Sequence, residues 1–532
     1  MSKKLLLLML IALAALCLVA CGGGGEEPAA PEGAAQSGGE PAADTEKDTS
    51  LVVTVTTEIL TLDPQMSGGA AAETLGYQIF DRLVYADEFN NVYPQLATDW
   101  EQSEDNLEWT FHLRQGVKFH DGEDFTAADV KNTLARYKSN SATRSYLYSN
   151  IKDVVAVDDY TVKIITETPQ ANLLNTLAYG GGAIMSSKSL QRTDDEIAKE
   201  PVGAGPYKLK ELGGTEYVVL ERYEDYWGGL PDATEIKFIY VSEVSTRVNM
   251  LLAGEADFIT GLTAQDLQQF ENNDKFTVKY ADSNRVAHIG FNTLKAPFDN
   301  VLVRQAMNYA VDKEALVEGV MSGLATVAKS VVAETTWGFC DYGDMYAYDP
   351  DKAKELLAEA GYPDGFSAKV ITPDGRYFKD KETVMAVVSQ LQAVGINLDV
   401  EVIDWASYLT KVKVAPEAGN DVELYFFGWE SSTGEAVYLE NLLFTEKNWA
   451  PTGWNTMFYA NEEFEQIHDL AATCLDDDQR MDYLAQTQKI LMEDAPWMPL
   501  YVYKQVAVYR SDLDNITLLP IESPRFTAVT IK

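Results

Sequence analysis

The chain has 532 residues and only four histidines, His112, His120, His288 and His468. None is spaced with a second histidine, a cysteine or a carboxylate as HExxH and Cys-x-x-Cys ligand sets are, so no purpose-built metal site is expected. There is no Gly-x-Ser-x-Gly elbow, and no serine stands out beside a histidine and an acid; the sequence therefore nominates no catalytic residue and no enzyme activity. Gly203 and Gly205 are not followed by Gly-Lys-Ser/Thr, so they predict no phosphate cradle. No cofactor is implied. Cys340 and Cys474 are expected to be separate free thiols.

The residues that remain suit binding. Asp421 to Phe444 reads DVELYFFGWESSTGEAVYLENLLF. Val422, Leu424, Phe426 and Phe427 form an apolar run of strand length, which Gly428 is expected to end, and after Ala436 the pattern turns helical. Between them Trp429, Glu430, Ser432 and Glu435 offer a flat aromatic, two carboxylates and a hydroxyl. In α/β proteins solutes bind just outside the carboxyl ends of strands, so this loop is a candidate crevice lining. Trp405 and Tyr408, just beyond a strand ending at Ile403, form a second candidate wall.

The elements that must position these residues alternate between strand and helix. Strands are predicted at residues 51–55, 216–223, 235–241, 396–403 and 501–509, and helices at 299–310, 381–394 and 478–494. A helical stripe of Leu75, Ile79, Phe80 and Leu83 reads as core. Trp109, Phe111 and Leu113 alternate with polar residues as a half-buried strand does, and Thr126 with Asp129 has capping-box spacing before a helix over 131–138. The pattern is α/β, and the length exceeds the roughly 250 to 300 residues at which single cores stop growing.

Charge and the N-terminus bound the setting. Eighty-two acidic against 42 basic residues give a formal charge of -40, which argues against nucleic acid or an anionic membrane as the main partner. Lys3 and Lys4 precede an apolar run from Leu5 to Val19, shorter than the ~20 residues of a membrane span, so residues 1–20 read as an export signal. Leu18-Val19-Ala20-Cys21 resembles the lipobox of bacterial lipoproteins, which implies cleavage before Cys21 and a lipid on its thiol. Residues 21–50 are poor in groups that can be buried and read as a flexible tether with an r.m.s. span of roughly 30 Å.

The motif WTFHLRQGVKFHDGEDFTAADV, from Trp109 to Val130, resembles the signature of family 5 solute-binding proteins of peptide and nickel ABC importers. Further matches lie in the expected order along the chain: Leu62-Asp63-Pro64 and Pro94 to Ala97 before it, and Pro201 to Tyr207, Tyr226 to Gly229, Gly254 to Asp257, Phe291-Asn292, Val303 to Ala306, and Asp349 through Tyr362 after it. In the last, Asp349 suits the N-cap, Pro350 the first helical turn and Gly361 the left-handed residue after the helix. Gly203 and Gly205 are expected to take positive φ before Pro206 at a tight strand entry. Arg114 and Arg304 are expected in structural ion pairs.

The resemblance implies an α/β fold: a two-lobed periplasmic-binding-protein-like clamp of type II, in the large cluster C form, with an extra subdomain inserted in lobe I. Lobe I would comprise residues 51–78, 201–287 and 499–532, the inserted subdomain 79–200, and lobe III 288–498, with a hinge near His288 and Leu500. It implies an extracellular or periplasmic, lipid-anchored monomer that captures a solute, foremost a peptide, and delivers it to the transmembrane subunits of an ABC permease. An oligosaccharide, metal chelate or other metabolite is the alternative ligand, and peptide sensing the alternative role. In peptide-binding relatives an aspartate three residues after the tryptophan holds the ligand's α-amino group. That position is Ser432 here, so Glu430 or Glu435 would take the role with its longer side chain, or else the ligand lacks a free amine or presents it differently.

Overall fold

A computed structural model describes residues 49–66, 69–138 and 142–532. The export signal and Cys21 lie outside the described residues, as does all but the end of the tether.

Two long antiparallel strands, Phe276–Phe291 and Trp497–Arg510, form the middle of an 11-stranded mixed sheet. On one side follow Leu424–Glu430, then Phe366–Pro373, then Ile396–Ile403. On the other side Phe258–Thr260 leads to Ser50–Val55, Glu235–Tyr240, Tyr217–Arg222 and Tyr207–Gly213. The two flanks carry separate cores, one around Phe291, Val303, Leu424, Phe426 and Leu491, the other around Leu51, Phe80, Phe238, Phe258 and Phe526. This is the two-lobed α/β clamp, with both long strands shared. The ladder between them is interrupted between Asp282 and Val286 and again between Ala287 and His288, close to where the sequence puts the hinge.

A third core belongs to a four-stranded antiparallel sheet of Ala97–Gln102, Glu108–Leu113, Thr161–Thr166 and Ile151–Asp158. Its logic is local. Trp109, Phe111 and Leu113 are buried on one face, and the helix Ala127–Tyr137 lays Val130, Leu134 and Tyr137 over the same core. Thr126 and Asp129 form the expected capping box, with Thr126 N donating to Asp129 Oδ2 at 2.8 Å. Likewise Asp349 caps Pro350–Glu359 by accepting from Lys352 N at 2.9 Å, and Gly361 takes φ 93° beyond its end.

Several local expectations change. Gly428 does not end its strand: it pairs with Ala287, and pairing continues to Glu430. Gly203 and Gly205 do not have positive φ; a Cβ on Gly203 would lie 2.1 Å from Ile79 O, and one on Gly205 2.7 Å from Gln78 O. Close backbone approach explains them, not left-handed geometry. The helix of the Leu75 stripe is Ala70–Ile79, so Leu83 falls after it, in the third core. Arg304 forms no ion pair among the described residues but donates to the carbonyls of Phe298, Asp494 and Ala495, and Arg114 lies over the Trp227 ring at 4.1 Å.

Candidate functional site

The strand Leu424–Glu430 pairs with Arg285–Phe291, which sets its aromatic residues on the core around Phe291 and Val303. Phe427 meets Trp429 at 5.3 Å and Trp405 at 5.6 Å between ring centroids, and Trp429 meets Trp454 at 5.0 Å. Trp405 and Trp429 are half-buried, and the Trp429 Nε1 is buried without a hydrogen-bond partner. Tyr408 is wholly buried and donates its hydroxyl to Phe426 O at 2.5 Å. It is a core residue, and its expected place in a cleft wall is corrected: the apolar ring serves the core and the hydroxyl satisfies a buried carbonyl.

The two glutamates are already partnered. Arg480 grips Glu435 with two prongs, at 2.6 and 3.2 Å, both side chains buried. A ligand amine would have to displace a buried guanidinium to reach Glu435, so the expected anchoring role is corrected as well. Glu430 pairs with Arg285 on the neighbouring long strand. Arg285 also binds Glu522 from the C-terminal segment at 3.1 Å, so this ion triad ties the second lobe to the first. Burial pushes the Glu430 carboxyl up, against the pull of Arg285.

Ser432 does face a cavity. A space of about 310 Å³ is lined on one side by Arg82, Tyr85, Tyr226, Trp227 and Arg525, and on the other by Ser432 and Thr433. Beneath it Asp81 accepts from Trp227 Nε1 at 2.7 Å and Gln95 Nε2 at 2.6 Å. Burial raises the Asp81 carboxyl to about 7, with the Trp227 bond and the Arg82 charge opposing. A second cavity of about 250 Å³ is bounded by Arg285, Tyr377, Tyr503 and Glu522. Direct contacts join segments distant in sequence: Tyr146 and Tyr438 hydroxyls lie 3.1 Å apart, Asn90 Nδ2 donates to Thr335 O at 2.5 Å, and Ala171 N donates to Ala472 O at 3.1 Å. A Cβ on Gly434 would sit 2.2 Å from Asn90 Oδ1, so glycine permits this approach.

Of the six candidates, the structure brings only Ser432 to the lining of the first cavity. Arg82 and Arg525 were not found by sequence reasoning. Arg82 sits in a stretch that reads as core, and nothing in one sequence shows that the C-terminal segment returns to it.

The histidines hold structure. His120 Nε2 lies 2.9 Å from Gly205 O and His288 packs on Trp497 at 3.7 Å between centroids; burial lowers them to about 4 and about 3. His468 faces Glu440 at 3.3 Å in the lobe III core, and His112 lies at the surface near Asp99. Among the described residues no group of three or more His, Cys, Asp or Glu is placed to hold a metal ion. Cys340 and Cys474 are free thiols. No helix among the described residues is long and apolar enough to cross a membrane.

Comparison with known proteins gives this architecture its family. Residues 91–451 match the model of the bacterial extracellular solute-binding proteins, family 5. The chain is 34% identical over 475 residues to the glutathione-binding protein GsiB of Salmonella typhi, covering 88% of this chain and 92% of that protein. It is 33% identical to GsiB of Escherichia coli K12 over 473 residues, with the same coverage. Among solved structures, HbpA2 of Haemophilus parasuis superposes with a TM-score of 0.81 at 27% identity, covering 91% of this chain and all of that one. DppA of Helicobacter pylori in complex with the peptide STSA gives 0.76 at 27% identity, covering 91% and 98%. The chain belongs to the bacterial extracellular solute-binding proteins of family 5.

Proposed function

We propose that this solute-binding protein captures a short peptide in the interlobe cavity, with glutathione the first candidate, and presents it to the transmembrane subunits of an ABC permease. The carrying observation is the cavity lined from both lobes, with Arg82, Tyr226, Trp227 and Arg525 on one side and Ser432 and Thr433 on the other. Its size is at the lower end of small-ligand pockets, which run from about 300 to 1,000 Å³, and suits a peptide of a few residues better than a long one. The ligands of these relatives, glutathione for GsiB and the peptide STSA for DppA, point the same way.

In this reading lobe I comprises residues 51–78, 201–287 and 499–532, the inserted subdomain 79–200 and lobe III 288–498. The lobes swing about the interrupted ladder of the two long strands. Ser432 lines the cavity, Trp405 and Trp429 stiffen the lobe III face, and Glu430 acts through Arg285. The protein works as a monomer held at the outer face of the membrane by a lipid on Cys21, and its cycle has no catalytic step.

Native mass spectrometry of protein purified from cells, followed by a thermal-shift screen, tests the reading. A peptide present at 100 times its Kd stabilises the fold by roughly 2.7 kcal/mol, a readable melting shift. Shifts with sugars or chelates and none with glutathione or peptides of two to four residues would overturn it.

A further inference from the structure

The four-stranded sheet forms no ladder with the 11-stranded one among the described residues, yet its layer meets the core around Phe291 and Val303 through a small cluster of loop and helix-end residues. The single helical turn Ser145–Tyr148 supplies two of them. Leu147 packs at once on that core, on the third core and on the cluster of Tyr77, Tyr179, Leu519 and Ile521. Beside it the Tyr146 hydroxyl lies 3.1 Å from that of Tyr438, on the helix Ala436–Phe444. In the opposite direction Leu475, from the link between the helices Glu462–Thr473 and Asp477–Asp494, packs on the third core. Ala171 N donates to Ala472 O at 3.1 Å. That carbonyl belongs to the last turn of Glu462–Thr473, where the helix has no donor of its own to offer, so its partner comes from the other layer.

Each side of the cluster is held by its own surroundings. Arg144 pairs with Glu73 of the helix Ala70–Ile79 at 3.1 Å and lies over the Tyr179 ring at 4.8 Å, which fixes the base of the Tyr146 turn. On the far side Leu439, Phe464, Ala471 and Leu491 bury the three helices in the core around Phe291 and Val303. The contacts between the two sides suit repeated opening. Tyr146 is 42% exposed, and Leu147 and Leu475 are half-buried, so parting them uncovers little apolar surface and lets the hydroxyls, the amide and the carbonyl bond water instead. None of Tyr146, Leu147, Ala171, Tyr438, Ala472 and Leu475 lines either cavity described above, so these contacts are indifferent to which solute is held.

Resting on the swing about the interrupted ladder proposed above, we infer that the inserted layer is a latch: Tyr146, Leu147 and Ala171 seat on Tyr438, Ala472 and Leu475 when the clamp closes, and hold it shut whatever the solute. The latch adds to the stability of the closed clamp without adding to its specificity, and it lengthens the stay of every solute alike.

Double electron–electron resonance between spin labels at Lys152→Cys and Lys354→Cys, in protein whose Cys340 and Cys474 are replaced by serine, tests this. Both positions are exposed, one on the strand Ile151–Asp158 and the other on the helix Pro350–Glu359. With no solute added, Leu475→Ser combined with Tyr146→Phe should lower the ratio of closed to open molecules about tenfold, the weight of one part-buried leucine and one hydrogen bond. Tyr146→Phe alone should lower it about twofold, and Leu475→Met should keep it. A merely structural contact would lower the urea midpoint of the double variant and leave the distances where they are. That result, or a wild type without a short-distance population, overturns the latch. If the double variant opens and glutathione or a di- to tetrapeptide closes it again, the latch and the peptide reading both stand. If it opens and none of these solutes acts on it, the latch stands and the peptide reading fails.

Discussion

Arg480 and Glu435 form a two-pronged ion pair, Nη2 to Oε2 at 2.6 Å and Nη1 to Oε1 at 3.2 Å, with both side chains 3% exposed. The Arg480 guanidinium also lies over the Trp337 ring at 4.3 Å. Removing one partner would leave the other charge buried and alone. Glu435→Gln should therefore cost about 3–5 kcal/mol in urea denaturation and change peptide affinity less than about twofold. A large loss of affinity with intact stability would return Glu435 to the binding site. Glu435→Gln combined with Arg480→Met should recover much of the stability, because no orphan charge remains.

Tyr408 tests the same distinction with one atom. Its hydroxyl satisfies Phe426 O from within the core, so Tyr408→Phe should cost about 1–2 kcal/mol of stability and leave solute affinity unchanged. An affinity loss at constant stability would place it on the cleft.

Asp81 gives a pH signature. Its carboxyl is raised to about 7 in the folded protein by burial, against about 3.9 in an unfolded chain. Between these values the native state binds the extra proton, so this group makes stability fall as pH rises from about 4 to about 7 and then level off. Asp81→Asn removes that slope. The stability of the variant relative to wild type should therefore grow from pH 4 to pH 7 and stay constant above, measured by urea denaturation at each pH. A difference independent of pH would contradict the assignment.

Ser432 is the candidate that touches the first cavity, opposite Arg82 and Arg525. Ser432→Asp would add a carboxylate to the lining shared with these guanidiniums. Affinity for an anionic peptide should drop by at least tenfold or so, through like-charge repulsion and loss of the free donors, while the empty protein's melting temperature holds or rises. Tighter binding of anionic peptides by this variant would contradict a place for the solute beside Ser432 in this cavity.

Much of the fold was legible because its signals are local. Periodicity found strands and helices within a few residues, as at Ile396–Ile403 and Asp477–Asp494, and the capping signals at Thr126 and Asp349 mark true helix starts. The errors came where tertiary contact overrides local chemistry. Gly428 reads as a strand end, yet Ala287 pairs with it, and Gly203 and Gly205 are small because Ile79 lies against them, which no turn rule reveals. The site was harder for the same reason. Residue type made Glu430 and Glu435 attractive anchors, but whether a carboxylate is free depends on partners distant in sequence, here Arg285 and Arg480. Arg82 and Arg525 carried no local mark, since their meaning lies in sharing one cavity.

The central claim is that the closed clamp holds a short peptide between Arg82 and Arg525 on one side and Ser432 and Thr433 on the other. Isothermal titration of the purified protein with glutathione, a panel of di- to tetrapeptides and a panel of neutral sugars tests it most directly. The account predicts one-to-one binding of glutathione or a short peptide at micromolar Kd or tighter, about -8 kcal/mol or better. Saturable binding of a neutral sugar, with no binding of any peptide, would contradict it.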